Sequence, residues 1–147
     1  MAEKIKSEYI TIKKTEFESR GSAPVYVDTA EVLRDTKKNQ TVMRLKIYNN
    51  GSKTVKSAYF NAGCFDENLN LCVQLKNIPY INADAGAYAY FGEHQLVRVP
   101  DITKSVFVEV SKVLFDDGSG WVNEKQKLDR DIVSESAVGE DWNRLRS

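Results

Sequence analysis

A chain of 147 residues fits one domain, which at this size buries roughly 70% of its unfolded surface and needs neither metal nor disulfide support. Its 21 Lys+Arg and 21 Asp+Glu cancel to a formal net charge of zero, which argues against nucleic-acid binding through neutralised phosphates and against a polybasic membrane contact. The opening MAEKIKSEYITIKK lacks an apolar run after its charges, and no stretch approaches the ~20 apolar residues of a membrane span. The expectation is a cytoplasmic protein, or an extracytoplasmic one if a leader has been removed.

Period-two patterning dominates the chain and predicts strands near 5–18, 24–34, 41–49, 54–65, 71–77, 88–98 and 105–116, with a short return through Trp121 and Val122. Ile10 and Ile12 alternate with polar neighbours. Met43, Leu45 and Ile47 share one face, and Arg44 and Lys46 the other. Val106, Val108 and Val110 oppose Phe107 and Glu109, after which the apolar parity slips by one toward Val113 and Phe115. One inserted residue restores the inward face, so a β-bulge is predicted near Ser111 and Lys112. Asn50-Gly51 and Asp117-Gly118 read as hairpin turns, because a tight turn needs positive φ. Several short strands at this spacing predict a sandwich or barrel, with the β domain taken as 1–122. Beyond Val122 the composition turns to charge. Val138, Trp142 and Leu145 fall at i, i+4 and i+7, so 123–147 is predicted to be a charged, partly helical tail.

Few residues offer chemistry. His94 is the only histidine, and it has no nucleophile elbow or Gly-rich loop near it, so a solvent-facing strand histidine is expected. Phosphate-cradling glycine patterns are missing, and DDGSGW lies between two strands rather than before a helix. The run DENLN sets Asp66, Asn68 and Asn70 at the first ligand positions of a calcium loop. Leu71 stands where that loop needs glycine, and Asn77 where it needs a bidentate acid. No metal or cofactor is therefore expected. With Asn68 as turn centre, Cys64 falls opposite Cys72, and without a signal peptide free thiols are favoured over a disulfide. Tyr80, Tyr88, Tyr90 and Phe91 form an aromatic cluster whose simplest role is core and edge packing, with a binding surface as the alternative.

The stretch LKIYNNGSKTVKSAYFNAGCFDENLNLC resembles bacterial immunoglobulin-like domains of the FxLYD type. Asn50, Lys53, Val55, Phe65 and Asp66 occupy the places of that family's turn phrases. Phe65 replaces the family's tyrosine, and Asn68–Asn70 lacks its glycine. HQLVRVPDITKSVFVEV and VLFDDGSGW resemble the closing strands, so the likeness spans about 40–122. It implies an immunoglobulin-like antiparallel β-sandwich, commonly found in secreted or surface proteins, and brings no catalytic residues.

Together these readings predict a non-catalytic interaction or adaptor module that binds a protein partner through a sheet edge or an aromatic patch. Homo-oligomers are compatible with this reading. The candidate binding residues are Tyr88, Tyr90, Trp142 and Leu145. The alternatives are a small-ligand or carbohydrate-binding sandwich using Tyr88 and Tyr90, and a small immunity or inhibitor protein.

Overall fold

The computed structural model describes residues 7–17 and 23–127. Its strands are β1 (Tyr9–Glu16), β2 (Val25–Asp35), β3 (Gln40–Asn49), β4 (Val55–Phe65), β5 (Leu71–Tyr80), β6 (Tyr90–Phe91), β7 (Leu96–Val99), β8 (Ser105–Phe115) and β9 (Gly120–Val122). One sheet runs β1-β2-β3, with β6 and β7 both on the far edge of β3; the other runs β5-β4-β8-β9. Every pairing is antiparallel. The two sheets pack face to face as an all-β sandwich, and the described residues contain no helix.

Alternation builds the shared core. On β3, Met43, Leu45 and Ile47 are fully buried, while Arg44, Lys46 and Tyr48 point to the other side. They join one cluster with Phe60 and Ala62 of β4 and Val106 and Val108 of β8. Burying a side chain such as Leu45 or Phe60 completely contributes about 1.5–3 kcal/mol. Phe60 also meets Tyr80 edge-on, with centroids 5.2 Å apart and planes at 82°.

The parity slip in β8 is the expected bulge. Tyr59 pairs with Lys112 and Phe60 with Val110, which leaves Ser111 unpaired. Its buried hydroxyl donates to Tyr59 O (3.1 Å) and lies 2.9 Å from Asn77 Oδ1. Asn61 completes this polar knot from β4, accepting the Asn77 amide (3.0 Å) and donating to Gln126 (2.9 Å). With Asn123 Nδ2 donating to Val110 O (2.9 Å) and Lys127 N–H to Glu109 (2.8 Å), the knot pins residues 123–127 across the outer face of the second sheet.

Four expectations need correction. Asn50-Gly51 is not a hairpin, because β3 and β4 lie in different sheets and this stretch carries the chain between them. The predicted strand 88–98 is broken into β6 and β7: Gly92 sits at φ +97 and opens a turn, so residues 92–95 carry no ladder pairing with β3. Cys64 pairs with Val73, not Cys72; the register slips between Cys64 and Phe65, which makes Cys72 the extra residue of a bulge. Ile10 is 58% exposed, because it lies near the end of the edge strand β1, opposite Arg34, and a register shift between Thr11 and Lys13 interrupts the strand's alternation. The expected tail helix, with Trp142 and Leu145, lies outside the described residues.

Candidate functional site

Register maps the outer face of the first sheet into rows. Tyr26, Tyr48 and Tyr90 form one row, and Glu16, Thr29 and Lys46 the next. Then come Lys14, Glu31, Arg44 and Leu96, followed by Thr11, Leu33, Val42 and Arg98. The tyrosines touch as a ladder across three strands: Tyr26–Tyr48 centroids are 5.3 Å apart at 48°, and Tyr48–Tyr90 centroids 4.9 Å apart at 51°. Lys46 Nζ lies 4.4 Å from the Tyr90 centroid, a cation–π contact. Such tilted contacts fix ring orientation and contribute about 0.5–1.5 kcal/mol each beyond burial.

Tyr90 is 50% exposed and Tyr88 60%, so both predicted residues lie at the surface and not in the core, where Tyr80 alone of the cluster is deeply buried. Tyr88 sits at φ +58, in the left-handed region that a side chain other than Asn, Asp or Gly seldom occupies. It is the third residue of a turn closed by Ala89 N–H donating to Gly86 O at 3.2 Å, a position that favours glycine or asparagine. Placing an L-residue there costs roughly 1–2 kcal/mol. An exposed ring recovers little of that through packing.

Asn49 holds this loop. It is fully buried, and its amide nitrogen donates to Lys53 O (2.9 Å), Gly86 O (2.9 Å) and Ala85 O (3.2 Å), while its Oδ1 accepts from Gly51 N–H (3.1 Å). Its backbone N–H donates to Ala89 O at 2.9 Å. One side chain therefore ties the inter-sheet crossover to the segment that presents Tyr88 and Tyr90. On the other flank, Gln95 Nε2 donates to Pro79 O (2.7 Å) and clips the 92–95 turn to β5.

The sheet edges are poorly suited to pairing with a partner strand. The β1 edge carries a register shift beside Lys13 and Lys14, and β5 carries two register shifts and Pro79. The β6–β7 edge is interrupted, and β9 spans three residues. Bulges, lysines, proline and short length are the devices by which sheets resist edge-to-edge association.

The remaining candidates are structural. His94 is exposed in the turn between β6 and β7, not in a strand. Asp66 Oδ1 accepts the amides of Asn68 (2.9 Å) and Asn70 (3.0 Å), and these bonds hold its carboxyl below the usual pKa. Among the described residues, no group of three or more His, Cys, Asp or Glu is placed to hold a metal. Both cysteines are free thiols. Burial, reinforced by the nearby Cys72, pushes the Cys64 thiol up to about 12. A cleft of about 950 Å³ opens between Phe17, Val25 and Val27 on one side and Val110, Trp121 and Lys125 on the other.

Sequence reading missed Tyr26, Tyr48, Lys46 and Asn49. The signal for Tyr48 was present, since it continues the outward parity of Arg44 and Lys46. Tyr26 becomes its neighbour only through the β2–β3 register, and Asn49 looked like turn punctuation. No protein-family model matches this chain, and no curated protein or solved structure matches it significantly. Among the described residues, no helix is long and apolar enough to cross a membrane.

Proposed function

We propose that this chain is a non-catalytic protein-interaction module, an immunoglobulin-like sandwich that binds a protein partner through the tyrosine-bearing outer face of its β1-β2-β3 sheet. The observation that carries this reading is the Tyr26–Tyr48–Tyr90 ladder, half-buried at Tyr26 and Tyr48 and exposed at Tyr90, with strained, exposed Tyr88 beside it. Tyrosines offer large, rigid contact area and a polar tip, which is why they anchor interfaces. The blunted edges favour the face over strand addition as the route of contact. The ring planes are tilted by about 50° to one another, so they form no flat platform for stacking a sugar. A second reading rests on the cleft beside Trp121, whose 950 Å³ lies in the range of small-molecule sites and whose walls carry Phe17, Val25 and Val27.

The test compares proteins retained from the native host by the wild type with those retained by a Tyr48→Ser/Tyr90→Ser variant of unchanged circular dichroism. Loss of a specific partner with the face variant is expected. Retention by that variant, with loss on Lys76→Pro in the β5 edge, would refute the face reading.

A further inference from the structure

Resting on the face reading above, we infer that the segment received by this surface is an acidic polypeptide, with carboxylates flanking an apolar side chain. The chain as a whole is neutral, but the charges on this face are not evenly matched. Glu31 is engaged by Arg44, whose Nε and Nη2 reach its Oε1 at 3.1 and 3.0 Å. Lys46 has the Tyr90 ring as its contact, and among the described residues no carboxylate lies within ion-pair distance of Lys46 or Arg98. Glu16 shares a row with Lys46 but stands two strands away, about 10 Å at the usual strand spacing. Among the described residues, two cations without acidic partners, Lys46 and Arg98, therefore bracket Leu96, which is 38% exposed, and Lys14 at the far end of its row is a third.

Their spacing sets the pattern. Arg98 pairs with Val42, four residues from Lys46 along β3, about 13 Å at 3.3 Å per residue. An extended partner matches that span with acids at i and i+4 and an apolar residue at i+2 over Leu96. An aromatic or aliphatic side chain beyond the first acid then meets the tyrosine ladder. Three such cations are too few for a phosphate backbone, whose binders neutralise about six to ten phosphates at once. They are enough to orient and select a short acidic segment, because complementary charge acts on specificity and encounter.

The experiment selects a random-sequence peptide library on the wild-type protein, then measures the strongest peptide by calorimetry at low and high salt. The result expected is enrichment of Asp and Glu around an apolar or aromatic residue, with affinity falling as salt rises. Lys46→Glu/Arg98→Glu weakens binding about tenfold or more, Lys46→Gln less, and Tyr48→Ser abolishes it. Peptides without acidic enrichment that are still lost on Tyr48→Ser overturn the acidic partner and leave the tyrosine face standing. Peptides indifferent to Tyr48→Ser, or no enrichment at all, overturn both. Phosphatidylserine vesicles or single-stranded DNA binding more tightly than any peptide, and released by the charge reversal, replace the polypeptide with another anion.

Discussion

Replacing Asn49 separates the packing of this corner from its hydrogen bonding. In Asn49→Ala, Ala85 O keeps the amide of Val55 (2.8 Å) and Gly86 O keeps that of Ala89 (3.2 Å). Lys53 O and Gly51 N–H lose the Asn49 bonds at 2.9 and 3.1 Å, their contacts in this corner. An unmet buried polar group costs about 1–3 kcal/mol, and water reaches these two in part, so a loss of about 2–3 kcal/mol is expected. For a domain of this size that is a fall of about 6–12 °C in Tm. Asn49→Asp keeps the shape but aims an oxygen at carbonyls, and both burial and repulsion raise the pKa of the introduced carboxyl above its unfolded ~3.9. A raised folded pKa favours the fold below the unfolded value and penalises it as pH climbs through the folded one. Asn49→Asp is therefore less stable than Asn49→Ala at pH 7 and recovers relative to wild type as pH falls. Urea titrations of the three proteins across pH measure this, with hydrogen exchange at Val55 and Ala85 reporting release of the Tyr88 loop. A pH-independent difference between Asn49→Asp and wild type, or a loss under about 0.5 kcal/mol for Asn49→Ala, a change typical of neutral surface sites, would refute the clamp.

Gly92→Ala places a Cβ 2.7 Å from Ile47 Cδ1 and 3.2 Å from Leu45 O at φ +97; strain and overpacking together destabilise by about 2–5 kcal/mol, read by urea unfolding. Gly86→Ala, with no atom within 4 Å of the added carbon, stays near wild type and is the control. Tyr88→Gly relieves the left-handed strain, so stability is unchanged or rises by up to about 1 kcal/mol while partner binding falls; a stability loss above about 1 kcal/mol would mean the ring is packed after all. Hydrogen bonds from the Ser119 side chain and amide, with Lys53 beside them, hold Asp117 down at about 2. Its contribution is full above the unfolded pKa of ~3.9 and is lost as pH falls toward 2, so Asp117→Asn flattens the acid limb of a stability profile between those values. Cys64, raised to about 12, resists iodoacetamide at pH 8 until the protein unfolds, and Cys72, raised by burial and by Asp66, reacts more slowly than a free thiol; mass spectrometry distinguishes the two sites.

Parity was the legible part of this protein. The alternation of Met43, Leu45 and Ile47 against Arg44 and Lys46 placed a buried and an outer face correctly, and a one-residue slip located the bulge at Ser111. Both are local consequences of the two-residue period of a strand. Sheet membership was not legible. Asn50-Gly51 has the composition of a hairpin turn, but β3 packs its apolar face on the opposite layer from β4, and that is decided by pairing partners far along the chain. The same limit applied to the cysteines, since the bulge at Cys72 depends on the register with Phe65, and turn counting alone cannot place it. The binding face was half legible: Tyr88 and Tyr90 stand out as an aromatic cluster, but the ladder needs Tyr26 and Tyr48, which long-range register brings to them.

Tyr88 has one counterpart. Among the described residues with positive φ, Asn39, Asn77, Asn82 and Asp84 are of the kind that adopts this region readily, whereas Leu69 (φ +64) and Tyr88 (φ +58) are not. Leu69 is 42% exposed and follows a turn closed by its own N–H donating to Asp66 O at 3.1 Å, so it too is an apolar residue where glycine would be cheaper. Local conflicts of this kind mark positions retained for something other than folding. The two lie at opposite ends of β5, about 30 Å apart along an extended strand, so one compact partner site does not take both. What favours Tyr88 is its surroundings: it adjoins a tyrosine ladder and Lys46, which has no acidic partner among the described residues, whereas Leu69 tips an isolated hairpin turn. If Leu69→Gly and not Tyr88→Gly releases the partner, the strain argument survives and the site moves to the other end of the sandwich.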